Sequence, residues 1–282
     1  MTRFLALLAL GTTLASCVSA QEPPPVAETK VIKFPGGGRA FPKEKRIEID
    51  GVAVYPSRAP IELFACAIHG KEHEAIFSLE CVPQDVHFAL LIFGLKDKTE
   101  FPDQKGPQVL GDPAKPVGDR VLVWIEWLTD GKKQRVRAED LLTYGPPADK
   151  RTMPRAGWVF AGSERWERVD PDTNEKTGET IYMANRERTL ISTYHDPTAV
   201  LDNPLVSGGD DRMLHPNFDL LPPRGTKITL VIEVPDKTAI EAMVKEEATA
   251  DEEYVAKIKK EWKDIDETVP DKPGADPAED KR

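Results

Sequence analysis

From Arg46 to Val234 the apolar residues come in short runs, most with a period of two, broken by glycine, proline and charged residues. At RIEIDGVAVY, Ile47 and Ile49 precede Asp50-Gly51, and Val52 and Val54 follow it. That pattern predicts a tight hairpin. In the next run Ile61, Leu63, Ala65 and Ala67 alternate with Glu62, Phe64, Cys66 and Ile68, so both faces of this strand are at least partly apolar. His69-Gly70-Lys71-Glu72-His73 then reads as a turn, and Ala75–Cys81 as the returning strand. After Pro83 the period changes. Val86, Leu90 and Phe93 share one helical face, and Gly94 follows as a cap.

The most apolar run of the chain after its leader is RVLVWIEWL, residues 120–128, which predicts a central strand covered on both sides. Asp130-Gly131 turns it back through Gln134–Arg137, and residues 138–142 form a short helix. Further strands are expected at Trp158–Ala161, Glu179–Met183, Thr189–Thr193 and Thr226–Val234. Beyond them Ile240, Met243, Val244, Val255, Ile258, Trp262 and Ile265 recur every three or four residues, giving an amphipathic helix over 236–265. The fold class is therefore α+β, a mainly antiparallel or mixed sheet with one packed helix and a helical C-terminal extension, the domain proper spanning 45–235.

Both ends depart from this pattern. Arg3 and the apolar Phe4–Leu14 make residues 1–20 a signal peptide, too short to span a bilayer core of about 30 Å. Leu14-Ala15-Ser16-Cys17 fits a lipobox, with Cys17 as the lipidated first residue; Val18-Ser19-Ala20 offers ordinary cleavage before Gln21 instead. The chain is thus expected to be exported, held to a membrane only by a lipid anchor, or soluble in the periplasm or medium if cleaved after Ala20. Residues 21–44, with Pro23-Pro24-Pro25 and Gly36-Gly37-Gly38, read as a linker. The segment 236–282 holds fifteen Asp or Glu against nine Lys or Arg, six of the ten net negative charges, and 266–282 reads as a disordered acidic tail. A net charge of -10 without a clustered basic face excludes a nucleic-acid surface.

Candidate chemistry gathers in residues 61–95, with two of the three cysteines and three of the five histidines. A loop could bring Cys66, His69, His73, Cys81 and His87 to one transition metal or redox centre, although His69 and His73 lack the helix that makes a four-residue spacing a zinc pair. Cys66 and Cys81 are either two small buried hydrophobes or a disulfide allowed by export, and hairpin register opposes the bridge. Glu126, inside the most apolar strand, is a candidate functional carboxylate if buried and a rim acceptor for cations otherwise. Asp170–Glu175 imitates the opening of a calcium loop but has Glu175 where glycine is needed. Asp210, Asp211 and His215 could be the acid-base groups of a degenerate hydrolase. No cofactor is otherwise implied, and no nucleophile and base stand at a required spacing.

Several stretches together resemble the YdjY-domain family of secreted or envelope bacterial proteins. They are His73-Glu74 before an apolar strand, the Pro83–Gly94 helix, Val123–Trp127 with Asp130-Gly131-Lys132, Arg137–Leu141, Trp158–Ser163, and Leu221-Pro222-Pro223 before the last strand. The likeness covers about Lys45 to Val234. It implies an envelope module of undefined biochemical role and supplies no catalytic residue. The ferredoxin-like descriptions of some relatives do not fit here, since two cysteines cannot supply four thiolates. The resulting expectation is a lipid-anchored module that binds or scaffolds an unknown envelope protein or ligand; the alternative is a metal or redox protein using the Cys66/His69/His73/Cys81 region.

Overall fold

The computed structural model describes residues 30–56, 61–100, 115–145 and 151–268. The leader, Cys17 and the acidic tail after Thr268 lie outside them. The chain opens with β1 (Ile32–Lys33) and β2 (Arg39–Phe41), an antiparallel hairpin. Residues 30–44 are thus structured rather than a plain linker. Gly37 and Gly38 turn this hairpin at φ 98° and 90°, and a Cβ on Gly37 would come within 2.2 Å of the Glu80 carbonyl oxygen. The strand β3 (Arg46–Ala53) then runs straight through Asp50-Gly51, where the sequence predicts a turn. Gly51 is there for close approach instead: a Cβ would lie 2.4 Å from the Ser78 carbonyl oxygen of the neighbouring strand.

A second correction concerns β4 (Leu63–Ala67) and β5 (Ala75–Leu79). They are parallel, with Leu63 opposite Ala75 and Cys66 opposite Ser78, and not a hairpin. All ten residues of the two strands are buried, the condition under which parallel strands are found. Between them the chain doubles back in seven residues. Glu72 fastens this return by accepting from the His69 N–H at 3.0 Å and from the Ser78 hydroxyl at 2.7 Å.

Helix α1 (Pro83–Ile92) begins with proline in its first turn and ends at Gly94, φ 87°. The arm β6 (Arg120–Thr129) and β7 (Lys132–Arg137) turns at Asp130-Gly131 with φ 50° and 73°, as predicted. Only one face of β6 is fully buried; on the other, Arg135 stacks over Trp124 at 4.6 Å. Then follow β8 (Leu142–Tyr144), β9 (Trp158–Phe160), β10 (Arg165–Val169), β11 (Lys176–Tyr182), α2 (Met183–Glu187), β12 (Thr189–Ser192), β13 (Leu201–Asp202), β14 (Leu214–Pro216) and β15 (Lys227–Glu233).

The hydrogen-bonded order β3-β15-β6-β9-β13-β12-β4-β5 returns to its start, because β5 also pairs with β3. Eight strands therefore close into a ring in which only β4–β5 and β12–β13 are parallel. An eight-stranded ring is about as wide as its own side chains can fill. Phe64 meets Phe77 edge-on at 5.3 Å and Trp158 at 5.5 Å within the core. The pair β10–β11 stands apart as a separate two-stranded ribbon, and β8 pairs with β14. The α+β class with a mixed sheet holds.

Helix α3 (Lys237–Thr268) lays Met243, Ala250 and Tyr254 against the domain, with Val255 and Ile258 on the core. Trp262 and Ile265 lie outside the described side chains. Nearly buried charges reinforce the contact. Glu247 pairs with both Lys115 and Arg120, while Asp251 meets Lys115 at 2.6 Å and accepts from the Val206 N–H at 2.7 Å. No helix of the described residues is long and apolar enough to cross a membrane.

Candidate functional site: a cleft beneath the free ribbon

The parallel return leaves the predicted metal or redox residues in different settings, two buried thiols, two exposed turn histidines and one buried helix histidine. Cys66 and Cys81 are free, buried thiols, and burial pushes both up to about 12, so neither is a thiolate at neutral pH. His69 is exposed in the turn at φ 62°. His73 is also exposed, its Nε2 3.1 Å from Glu74. His87 is buried in α1 among other partners. Among the described residues no group of three His, Cys, Asp or Glu is placed to hold a metal ion.

The candidate carboxylates are also occupied. Glu126 lies 2.8 Å from the Lys133 ammonium and 3.1 Å from Arg135, which makes it a rim acceptor. Asp210 takes both arms of Arg212 at 2.8 Å and is held below the usual carboxylate range by that contact; His215 Nε2 faces the Arg212 carbonyl at 2.9 Å and Asp211 is exposed. In the calcium-like loop Asp170 instead accepts from the backbone N–H groups of Asp172 and Thr173, which is a turn.

A concavity of about 1060 Å³ lies beneath β10–β11. The ribbon carries Arg165, Trp166, Arg168 and Val169 over it, and the opposite side presents Tyr182 and Gln84. Every residue of β10 is exposed, including Trp166 at 48% and Val169 at 45%. Among the described residues the ribbon pairs with no other strand; Arg165 opposite Tyr182 is its inner rung, and beside it the Met183 N–H donates to the Glu164 carbonyl at 3.0 Å.

The wall is as fixed as the ribbon is free. The Tyr182 hydroxyl and His87 Nδ1 share a hydrogen bond at 2.9 Å. Burial raises the Tyr182 hydroxyl well above its usual range and pushes the His87 imidazole down, so both stay neutral with the proton on oxygen. On the other side His87 Nε2 approaches Asp97 Oδ2 at 3.3 Å without hydrogen-bond alignment. Asp97 itself accepts from the Thr99 N–H at 2.9 Å and from the Thr99 hydroxyl at 2.5 Å, and it packs close on Gly162, where a Cβ would fall 2.4 Å from Oδ2. Gln84 and Asn185 join α1 to α2 by two hydrogen bonds, at 3.0 and 2.9 Å. Arg165 lays its guanidinium 5.4 Å over the Tyr182 ring, so an arginine is presented on a preset platform.

This arrangement can bind a ligand over Tyr182, whose hydroxyl burial raises well above its usual range and so keeps protonated. Of its parts the sequence pattern predicts the helix that carries Gln84 and His87 and the Glu179–Met183 strand that carries Tyr182, but no strand at β10. The available signal was Arg165-Trp166-Glu167-Arg168-Val169, an alternating run followed by a Pro-Asp-Thr-Asn turn and a second alternating run. Its apolar members lack a covered face, so a search for core strands passes over it.

The YdjY domain family model matches residues 42–233, from the end of β2 to the last residue of β15. Comparison with curated proteins and with solved structures gives no match. The matched span holds the whole closed ring together with the ribbon and its cleft, and it amounts to well over half of the sequence: the chain belongs to the YdjY domain family.

Proposed function

We propose that this chain is an exported, lipid-tethered module that binds an extended, acidic segment of an envelope partner in the cleft beneath β10–β11. The observation that carries the reading is the ribbon itself. A lone two-stranded sheet is marginal in water, and this one leaves tryptophan and valine bare above a rigid wall. A third strand or strand-like segment would cover them and satisfy a sheet edge. Arginines 165, 168 and 186 outnumber Glu167 and Glu179 in the lining, where Arg168 pairs with Glu179 at 2.8 Å, and in a chain whose net charge is -10 this local excess favours an acidic occupant. Export and tethering rest on the lipobox ending at Cys17.

Metal or redox chemistry at Cys66, His69, His73, Cys81 and His87 draws no support from side chains that lie this far apart in burial and surroundings. The binding reading is tested by titrating the mature protein with a library of extended acidic peptides. Bound peptides should lose at least tenfold in affinity to Trp166→Ala or Arg165→Ala and little to Glu126→Gln. Equal binding by Trp166→Ala and the parent protein would contradict it.

A further inference from the structure

Past its first turn, where Gln84 and Asp85 stand, helix α1 is apolar on every side apart from the buried His87. Val86, Ala89 and Leu90 are buried, yet Phe88, Leu91 and Ile92 remain 47%, 40% and 64% exposed. A helix apolar all round belongs in a covered place, and this one has a bare face. Beyond the end of the helix a groove of about 440 Å³, lined by Phe93 and Leu95 together with Lys45, Asp119 and Arg120, reaches Ile240 and Val244 of α3, which are 37% and 49% exposed.

The path of the chain indicates what covers it. The β1–β2 turn packs on the start of α1: a Cβ on Gly36 would lie 2.3 Å from the Val82 side chain, and one on Gly37 against Glu80. The hairpin that leads back toward Cys17 therefore packs beside this helix. Twelve residues, 18–29, separate Cys17 from Lys30, a reach of about 40 Å at full extension. Val31 and Val82 are exposed, and Lys30, Lys33 and Lys96 are exposed cations suited to an anionic surface.

We infer that the exposed face of α1, with Phe88, Leu91 and Ile92, rests in the interfacial layer of the bilayer that holds Cys17. This rests on the anchor reading given above. A tether this short keeps the face at high local concentration near lipid, so a shallow apolar contact too weak to recruit the protein alone is enough to orient it. The cleft beneath β10–β11, which shares Gln84 one helical turn before Phe88, would then open close to the membrane surface.

The test uses the full chain processed in its host, with Phe88→Cys, Ile92→Cys or Leu128→Cys carrying an environment-sensitive fluorophore. Leu128, 68% exposed on the β6–β7 arm, is the control, and the native thiols are buried. On vesicles of phosphatidylethanolamine and phosphatidylglycerol with a nitroxide lipid, labels at 88 and 92 should be quenched at least twofold more than at 128. Equal quenching at all three overturns the inference. So does shielding of 88 and 92 without vesicles accompanied by a doubled mass, which would assign the face to a second copy. Mass spectrometry of the mature N-terminus runs alongside. A terminus at Gln21 defeats the anchor reading by itself, and preferential quenching at 88 and 92 in that same material would still uphold the face.

Discussion

The closed ring and the β10–β11 ribbon use the same antiparallel hydrogen bonding and differ in nearly everything else. In the ring each strand has two neighbours and buries at least one full face; in the ribbon each strand has one neighbour and almost no buried side chain. Backbone pairing is common to both, so it cannot be what separates a stable framework from an adaptable surface. Burial of apolar side chains does that, at about 25 cal/mol per Å² removed from water. One molecule thus contains a rigid support and a poorly supported pair of strands held over a rigid wall.

The largest effects should fall on the ring. Phe64→Ala removes a ring packed between Phe77 and Trp158 and is expected to cost about 3–5 kcal/mol in chemical denaturation, whereas Trp166→Ala in the ribbon should stay within about 0.5 kcal/mol. Comparable losses at both positions would abolish the contrast. Next comes the seat of α3. Glu247→Gln leaves the nearly buried Lys115 and Arg120 short of a carboxylate and should cost about 3 kcal/mol, with early loss of protection along α3. A cost near zero would mean the helix is attached by its apolar stripe alone. Gly51→Ala, pressed against Ser78 and Leu79 inside the ring, should cost about 1–3 kcal/mol through overpacking. Gly178→Ala in the ribbon meets no neighbour and pays only for its φ of 76°, about 1 kcal/mol.

The smallest effect belongs to the exposed rim. Asp50 is held below the usual carboxylate range mainly by its hydrogen bond to Arg39, on the β2–β3 edge. A carboxylate depressed on folding contributes above its unfolded pKa of about 3.9 and loses that contribution as pH falls through its folded value. Arg39→Ala should therefore cost less than about 1 kcal/mol at pH 6, after allowance for solvent screening, and nothing measurable once Asp50 is protonated. A larger cost persisting at low pH would point to lost packing of the arginine stem instead.

Much of the ring was legible in the sequence because its strands alternate or run apolar and its turns use glycine. Residues 120–137 and 226–234 and helix α1 match their patterns closely. Two features were not legible, for local reasons. Gly51 gives the same Asp-Gly signal whether it turns the chain or lets a neighbouring backbone approach. The parallel return of 68–74 depends on Glu72 reaching Ser78, a contact no periodicity encodes. That return also decides the fate of the candidate site, since it leaves His69 and His73 exposed in the turn while Cys66 and Cys81 are buried. The cleft escaped notice for the opposite reason: its tryptophan and arginines occupy a strand with no core face to betray it.

Native-state hydrogen exchange tests the contrast most directly. Amides of β4, β5 and β15 should exchange only with global unfolding, and those of β10 and β11 at least a hundredfold faster through local opening. Ribbon amides as slow as those of β15 would contradict the account, since they would make the ribbon part of the framework and leave the cleft without its adaptable side.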